Sequence, residues 1–136
     1  MLDMLEQAIR ATFVTWQLAE QLLEKLCDEQ WQSWLTSYIA KEQKQHEIWK
    51  YLFMVSRGIP YERALNDKGQ AVQHVEEMVA ALFFREIEKN MLYYRMYTQL
   101  AKAPKYAAEQ ALTHSLEHSR CFFQWMQKER EQAQLI

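Results

Sequence analysis

The stretch IAKEQKQHEIWKYLFMVSRGIP (residues 39–60) decides the fold. Ile39, Trp49, Leu52 and Phe53 recur at the spacing of one helix face. Upstream, Trp31, Trp34, Leu35 and Tyr38 extend the same stripe, and Asp28 has the side chain of an N-cap. Downstream, Gly58 suits the position just past a helix end, and Pro60 cannot continue a helix. The segment therefore reads as one long helix that stops near Arg57.

The flanking sequence supplies three more helices. Leu2, Leu5, Ile9, Phe13, Trp16 and Leu23 mark a first helix over about Leu2–Leu26. The segment GIPYERALNDKGQ (58–70) is the long connection, with a short helical turn expected around Tyr61 to Leu65 and an end marked by Asn66, Asp67 and Gly69. A third helix is expected from about Gln70 to Ala101, carrying Val72, Val75, Val79, Leu82, Phe83, Ile87, Met91, Tyr94 and Tyr97. Pro104 fits the first position of a fourth helix with Ala108, Leu112, Leu116, Phe122, Phe123, Trp125 and Met126. Short, long and short connections imply an all-α, antiparallel four-helix bundle: one domain over 1–136, built from two hairpins joined at about 58–70. Whether the long segment crosses the bundle end or covers a side is open at this level.

Composition agrees. Only two Gly and two Pro occur in 136 residues, too few turn residues for sheets or many loops. The net charge of −2 and the lack of a basic stripe argue against nucleic-acid binding. No apolar run approaches the roughly 18 residues that span a bilayer, and the start MLDMLEQAIRATF lacks the basic region of a signal peptide. Cys27 and Cys121 stand alone, as free thiols of a reducing compartment do, so a cytoplasmic location is expected. Five Trp, seven Tyr, six Phe and seven Met are a heavy apolar load. Trp31, Trp34 and Trp49 cannot all enter one small core, and a homodimer is the commonest way to cover surplus apolar surface.

Several polar residues fall where apolar ones are expected. Glu42 and His46 interrupt the stripe Leu35, Ile39, Trp49, Phe53, and an ionised carboxylate in a core needs a partner or a metal. Four residues apart, the two reach one spot, either as ligands of a metal or as a Glu–His pair. On the fourth helix His118 shares the apolar face with Ala111, Ser115, Phe122 and Trp125, whereas His114, Glu117 and Cys121 lie on a more polar face. On the third, Glu86 is in line with Val79, Leu82, Asn90 and Tyr93, and Glu88 with Ala81, Phe84 and Met91. On the first, Glu20 falls in the apolar stripe and Glu6 at its border. Each acid taken singly is expected at a surface or border.

Taken together, these residues resemble the ferritin-like proteins, and among them the rubrerythrin type. EIEKNMLYYRMYTQLA (86–101) looks like that family's third helix, and IAKEQKQHEIW (39–49) like its second, where Ala-x-Glu-Glu-x-x-His is usual. The resemblance implies a di-iron carboxylate bundle in which two helices give one Glu each and two give a Glu-x-x-His pair. Carried over, Glu6 and Glu88 are the single ligands, His46 a histidine ligand, and His118 stands in a carboxylate position. The motifs depart from the pattern. Gln43 stands where the family's Glu would, Glu42 is displaced by one position, and Cys121 replaces the second His. A weak internal repeat, EQAIRATFVTWQLA (6–19) on EKNMLYYRMYTQLA (88–101), also lays Glu42 on Glu117 and His46 on Cys121.

Two functional readings follow. In the first, Glu6, Glu42, His46, Glu88 and His118 bind one or two metal ions. These would be iron, with oxygen or peroxide redox chemistry, or zinc or another divalent metal if the site is rich in imidazole. Tyr93, Tyr94 or Tyr97 would then be nearby donors. In the second, the chain is a metal-free helical dimerisation or interaction module with a buried Glu42–His46 pair.

Overall fold

The computed structural model describes residues 3–63, 65 and 74–134. Four helices form: α1 Met4–Lys25, α2 Glu29–Arg57, α3 Val75–Gln99 and α4 Lys102–Gln134. No strand occurs among the described residues. The expected Leu2, Gln70 and Val72 helix positions, and the Asn66, Asp67 and Gly69 marker, lie outside the described residues.

Each helix starts and stops for local reasons. Asp3 caps α1 by accepting from the Leu5 amide at 3.0 Å. Asp28 caps α2 by accepting from the amides of Gln30 (2.9 Å) and Trp31 (3.3 Å). Such side chains satisfy amides that have no partner inside the helix. Gly58 ends α2 at φ 77°, and its amide donates to the Met54 carbonyl at 2.8 Å. Two irregular residues, Leu100 and Ala101, separate α3 from α4. Pro104 lies in the first turn of α4, two residues later than the first position, where its missing N–H is still harmless. Among the described residues of the expected helical turn at Tyr61 to Leu65, none is helical: Tyr61, Glu62, Arg63 and Leu65 are irregular. Tyr61 instead packs edge-on against Phe53, with ring centres 5.3 Å apart, and Arg63 reaches Glu6 at 3.7 Å.

Two apolar clusters give the topology. One joins Leu5, Ala8 and Ile9 of early α1, Trp49, Leu52 and Phe53 of late α2, Leu92, Tyr93 and Met96 of late α3, and Ala108 and Ala111 of early α4. The other joins the opposite ends: Leu18 and Leu22, Leu35 and Tyr38, Val79 and Leu82, Phe122 and Trp125. So α1 and α4 run one way, and α2 and α3 the other. Packing is between α1 and α2, α3 and α4, α1 and α3, and α2 and α4, which leaves α2 diagonally opposite α3. Every neighbouring pair is antiparallel, and the diagonal pairs are parallel. The order is up-down-down-up, so the segment from Gly58 to His74 joins opposite ends of the bundle. It must travel the length of α3, 25 residues or about 37 Å at the helical rise. The end of α2 and the start of α3 therefore lie at opposite ends of the bundle.

Trp49 and Trp125 are fully buried. Trp31 and Trp34 are half-buried; Trp31 stacks on Trp125 at 4.1 Å, and Trp34 meets it edge-on at 6.4 Å. No helix among the described residues is long and apolar enough to cross a membrane.

Candidate functional site

Between the two apolar clusters lies a layer of buried polar side chains drawn from all four helices. α1 contributes Thr12 and Thr15, α2 Glu42 and His46, α3 Glu86 and Lys89, and α4 Ser115, His118 and Ser119. The inward stripe of α3 explains its share: Val79, Leu82, Glu86, Lys89, Tyr93 and Met96 are spaced by three or four residues and share one face.

Lys89 is the centre of the layer. Its ammonium donates to Glu42 on the diagonally opposite helix and, at 2.8 Å, to Glu86 one turn before it. Tyr38 Oη reaches both acids, Glu86 Oε1 at 2.6 Å and Glu42 Oε1 at 3.0 Å. Thr15 donates to Glu42 Oε1 at 2.9 Å, and Ser115 to Glu86 Oε2 at 2.7 Å. Every helix thus gives a donor to one of two buried carboxyl groups. Burial raises the Glu86 carboxyl to about 7, although the Tyr38 and Ser115 hydroxyls work against that rise. Burial also pushes Lys89 well below the usual lysine range. Two carboxylates against one ammonium would leave a net negative charge in the core. Lifting Glu86 towards neutrality brings the cluster close to zero.

His118 packs edge-on against Tyr38, ring centres 4.8 Å apart, with Nδ1 3.9 Å from Glu86 Oε1. Burial, with Lys89 adding to it, lowers its pKa to about 3, so the imidazole is neutral. His46 faces α1: Nδ1 is 3.0 Å from both the Ile9 carbonyl and Thr12 Oγ1, and the ring meets Trp16 and Phe13. A cavity of about 20 Å³ between α2 and α4 touches Glu42, Lys89, Tyr93, Ser115 and His118. It has room for about one water.

The expected site residues separate into three groups. Glu42 and His118 enter the central layer. His46 is buried, but it binds α1 and not Glu42, so the expected Glu42–His46 pair is replaced by Glu42–Lys89. Glu6 and Glu88 are elsewhere. Glu6 lies near the bundle end with Arg63, and the Glu88 side chain is 66% exposed beside Arg85 at 3.7 Å. Glu20 takes the Trp16 indole N–H at 2.8 Å, away from the layer. Tyr93 is buried at the layer, Tyr94 is exposed and Tyr97 half-buried.

The burial stripes of α1 and α3 do not follow the register of the repeat read in sequence. The buried positions Leu5, Ala8, Thr12, Thr15, Leu18, Ala19 and Leu22 of α1 have the same spacing as Val79, Leu82, Glu86, Lys89, Leu92, Tyr93 and Met96 of α3. In that register Thr12 matches Glu86 and Thr15 matches Lys89. The earlier alignment paired Glu6 with Glu88, which lies on the outer side of α3.

A di-metal carboxylate site does not fit this layer. Such a site takes several carboxylates and two imidazoles; here α1 offers Thr12 and Thr15, α4 offers Ser115, and an ammonium stands between the two acids. Among the described residues no three His, Cys, Asp or Glu side chains are grouped to hold a metal ion. In comparisons with known proteins, the chain matches no family model, no curated protein and no solved structure.

Proposed function

We propose that the chain is a metal-independent helical interaction module that works as a homodimer, built on a ferritin-like bundle whose central cation is Lys89. The Glu42–Lys89–Glu86 triad carries this reading. A divalent ion beside the same two acids would have to displace or deprotonate the ammonium, and hydroxyl donors already engage both carboxyl groups. The connectivity supports kinship with ferritin-like folds, which share a single long crossover. It does not bring their iron chemistry with it, because function resides in the site and not the fold.

The surface supports association. Phe84 and Tyr94 on α3 and Leu116 and Phe123 on α4 are each at least 46% exposed. Phe83 and Phe123 meet across the two helices at 5.7 Å, which joins part of this surface into one patch. Contiguous exposed apolar area of this kind marks a contact surface. Analytical ultracentrifugation tests the reading. A dimer is expected, with monomer produced by Phe84→Glu plus Phe123→Glu while the helical signal is retained. A wild-type monomer across the accessible concentration range would overturn it.

A further inference from the structure

A groove of about 400 Å³ runs between α1 and α3 on the side away from α2 and α4. Its floor is apolar, formed by Ala11, Val14 and Leu92, with Met91 on one wall. Arg10, Arg85 and Arg95 line it together with one acid, Glu88. Glu88 is taken by Arg85 at 3.7 Å. The side chains of Arg10 and Arg95 have no acidic partner among the described residues. Because α1 and α3 are antiparallel, with early α1 against late α3, Arg10 and Arg95 belong to the same end of the groove. Val14 and Arg85 lie towards the other end. Lys89 also borders the groove, but its ammonium is committed to Glu42 and Glu86.

We propose that this groove binds a small carboxylate with an apolar tail, of the class of a medium-chain fatty acid. Arg10 and Arg95 hold the carboxylate, and the tail lies along Val14, Met91 and Leu92. Two uncompensated guanidinium groups over an apolar floor, in a chain of net charge −2, are complementary to such an anion. The planar guanidinium fork matches a carboxylate in two-point geometry. The volume lies within the range of small-molecule sites, roughly 300–1,000 Å³. A second copy suits the groove less well: a two-fold contact here would set the same unpaired arginines against each other. This site is separate from the α3–α4 apolar patch, and its test is independent of the dimer.

The test is an amide NMR and calorimetric titration of the full chain with decanoate, 1-decanol and decyltrimethylammonium, each below its micellar concentration or solubility limit. Decanoate is expected to bind saturably at one site and to shift amides of α1 and α3. Binding should weaken at least about tenfold for decanol, and by a similar factor for decanoate in Arg10→Gln plus Arg95→Gln. These two residues are exposed, so the double variant should keep the wild-type circular dichroism. Val14→Glu, at the tail end, should also abolish binding. Absence of saturable binding overturns the proposal. So does equal binding of all three probes, or decanoate affinity unchanged in the arginine variant.

Discussion

Lys89 on α3 bridges to Glu42 on α2, although these two helices lie on the diagonal of the bundle with their backbones apart. Tyr38 repeats the crossing in the opposite sense, from α2 to Glu86 on α3. The polar layer therefore adds to the Trp49–Tyr93 ring contact, 5.5 Å between centres, in tying together the diagonal pair that the long connection joins. It also fixes register, because a one-turn slip of α3 would take the Lys89 ammonium away from Glu42 and Glu86 away from Tyr38.

Breaking the triad should be costly, and removing it whole should not be. Lys89→Met leaves Glu42 and Glu86 buried without their cation, and the expected loss is about 3–5 kcal/mol in urea unfolding. Lys89→Met combined with Glu42→Leu and Glu86→Leu should recover most of that loss, since an apolar set of similar volume avoids the desolvation of three charges. A triple variant no more stable than Lys89→Met would show that the layer contributes through geometry and not charge balance.

Two buried groups pull stability in opposite directions with pH. Glu86 titrates at about 7 in the fold against 4.5 for an exposed glutamate. The folded chain binds more protons than the unfolded chain between those values, so this contribution is full below 4.5 and is lost as pH rises through 7. His118 titrates at about 3 against 6.5. Its contribution is full above 6.5 and is lost as pH falls towards 3. Urea midpoints from pH 4 to 8 should therefore show a shallow optimum in wild type. Glu86→Gln should flatten the alkaline limb, and His118→Gln the acid limb. Imidazole NMR at pH 5 should find His118 neutral.

The architecture was readable because helix periodicity and turn residues are local signals. Asp28, Gly58 and Pro60 bounded α2 correctly, and Glu42 and His118 were visible as polar residues on apolar stripes. Lys89 escaped notice for a physical reason. A lysine is almost never fully buried without a partner, and one of its two partners, Glu42, is on another helix, where no local pattern reveals it. Its spacing from Leu82, Glu86, Tyr93 and Met96 was the available signal. Glu6 and Glu88 came from the family resemblance, and in the bundle Glu6 lies beside Arg63 at one end and Glu88 on the outer side of α3 beside Arg85. The span of the long connection depended on the relative directions of α2 and α3, which only tertiary packing defines.

Gly58 offers a local test of the helix end. It sits at φ 77° with open space where a side chain would begin, so only backbone strain opposes substitution. Gly58→Ala should destabilise by about 1 kcal/mol in the same urea assay. A neutral result would mean that α2 ends by some means other than this left-handed residue.

The most direct measurement is the metal content of untagged protein from cells grown with iron, zinc and manganese, read together with the melting temperature with and without chelator. An internal ammonium predicts metal far below one atom per chain and no chelator shift, because no native-state ligand is being removed. Stoichiometric metal that is lost in Glu42→Gln or Glu86→Gln, with a melting temperature that drops on chelation, would contradict the assignment of Lys89 as the cation of this core.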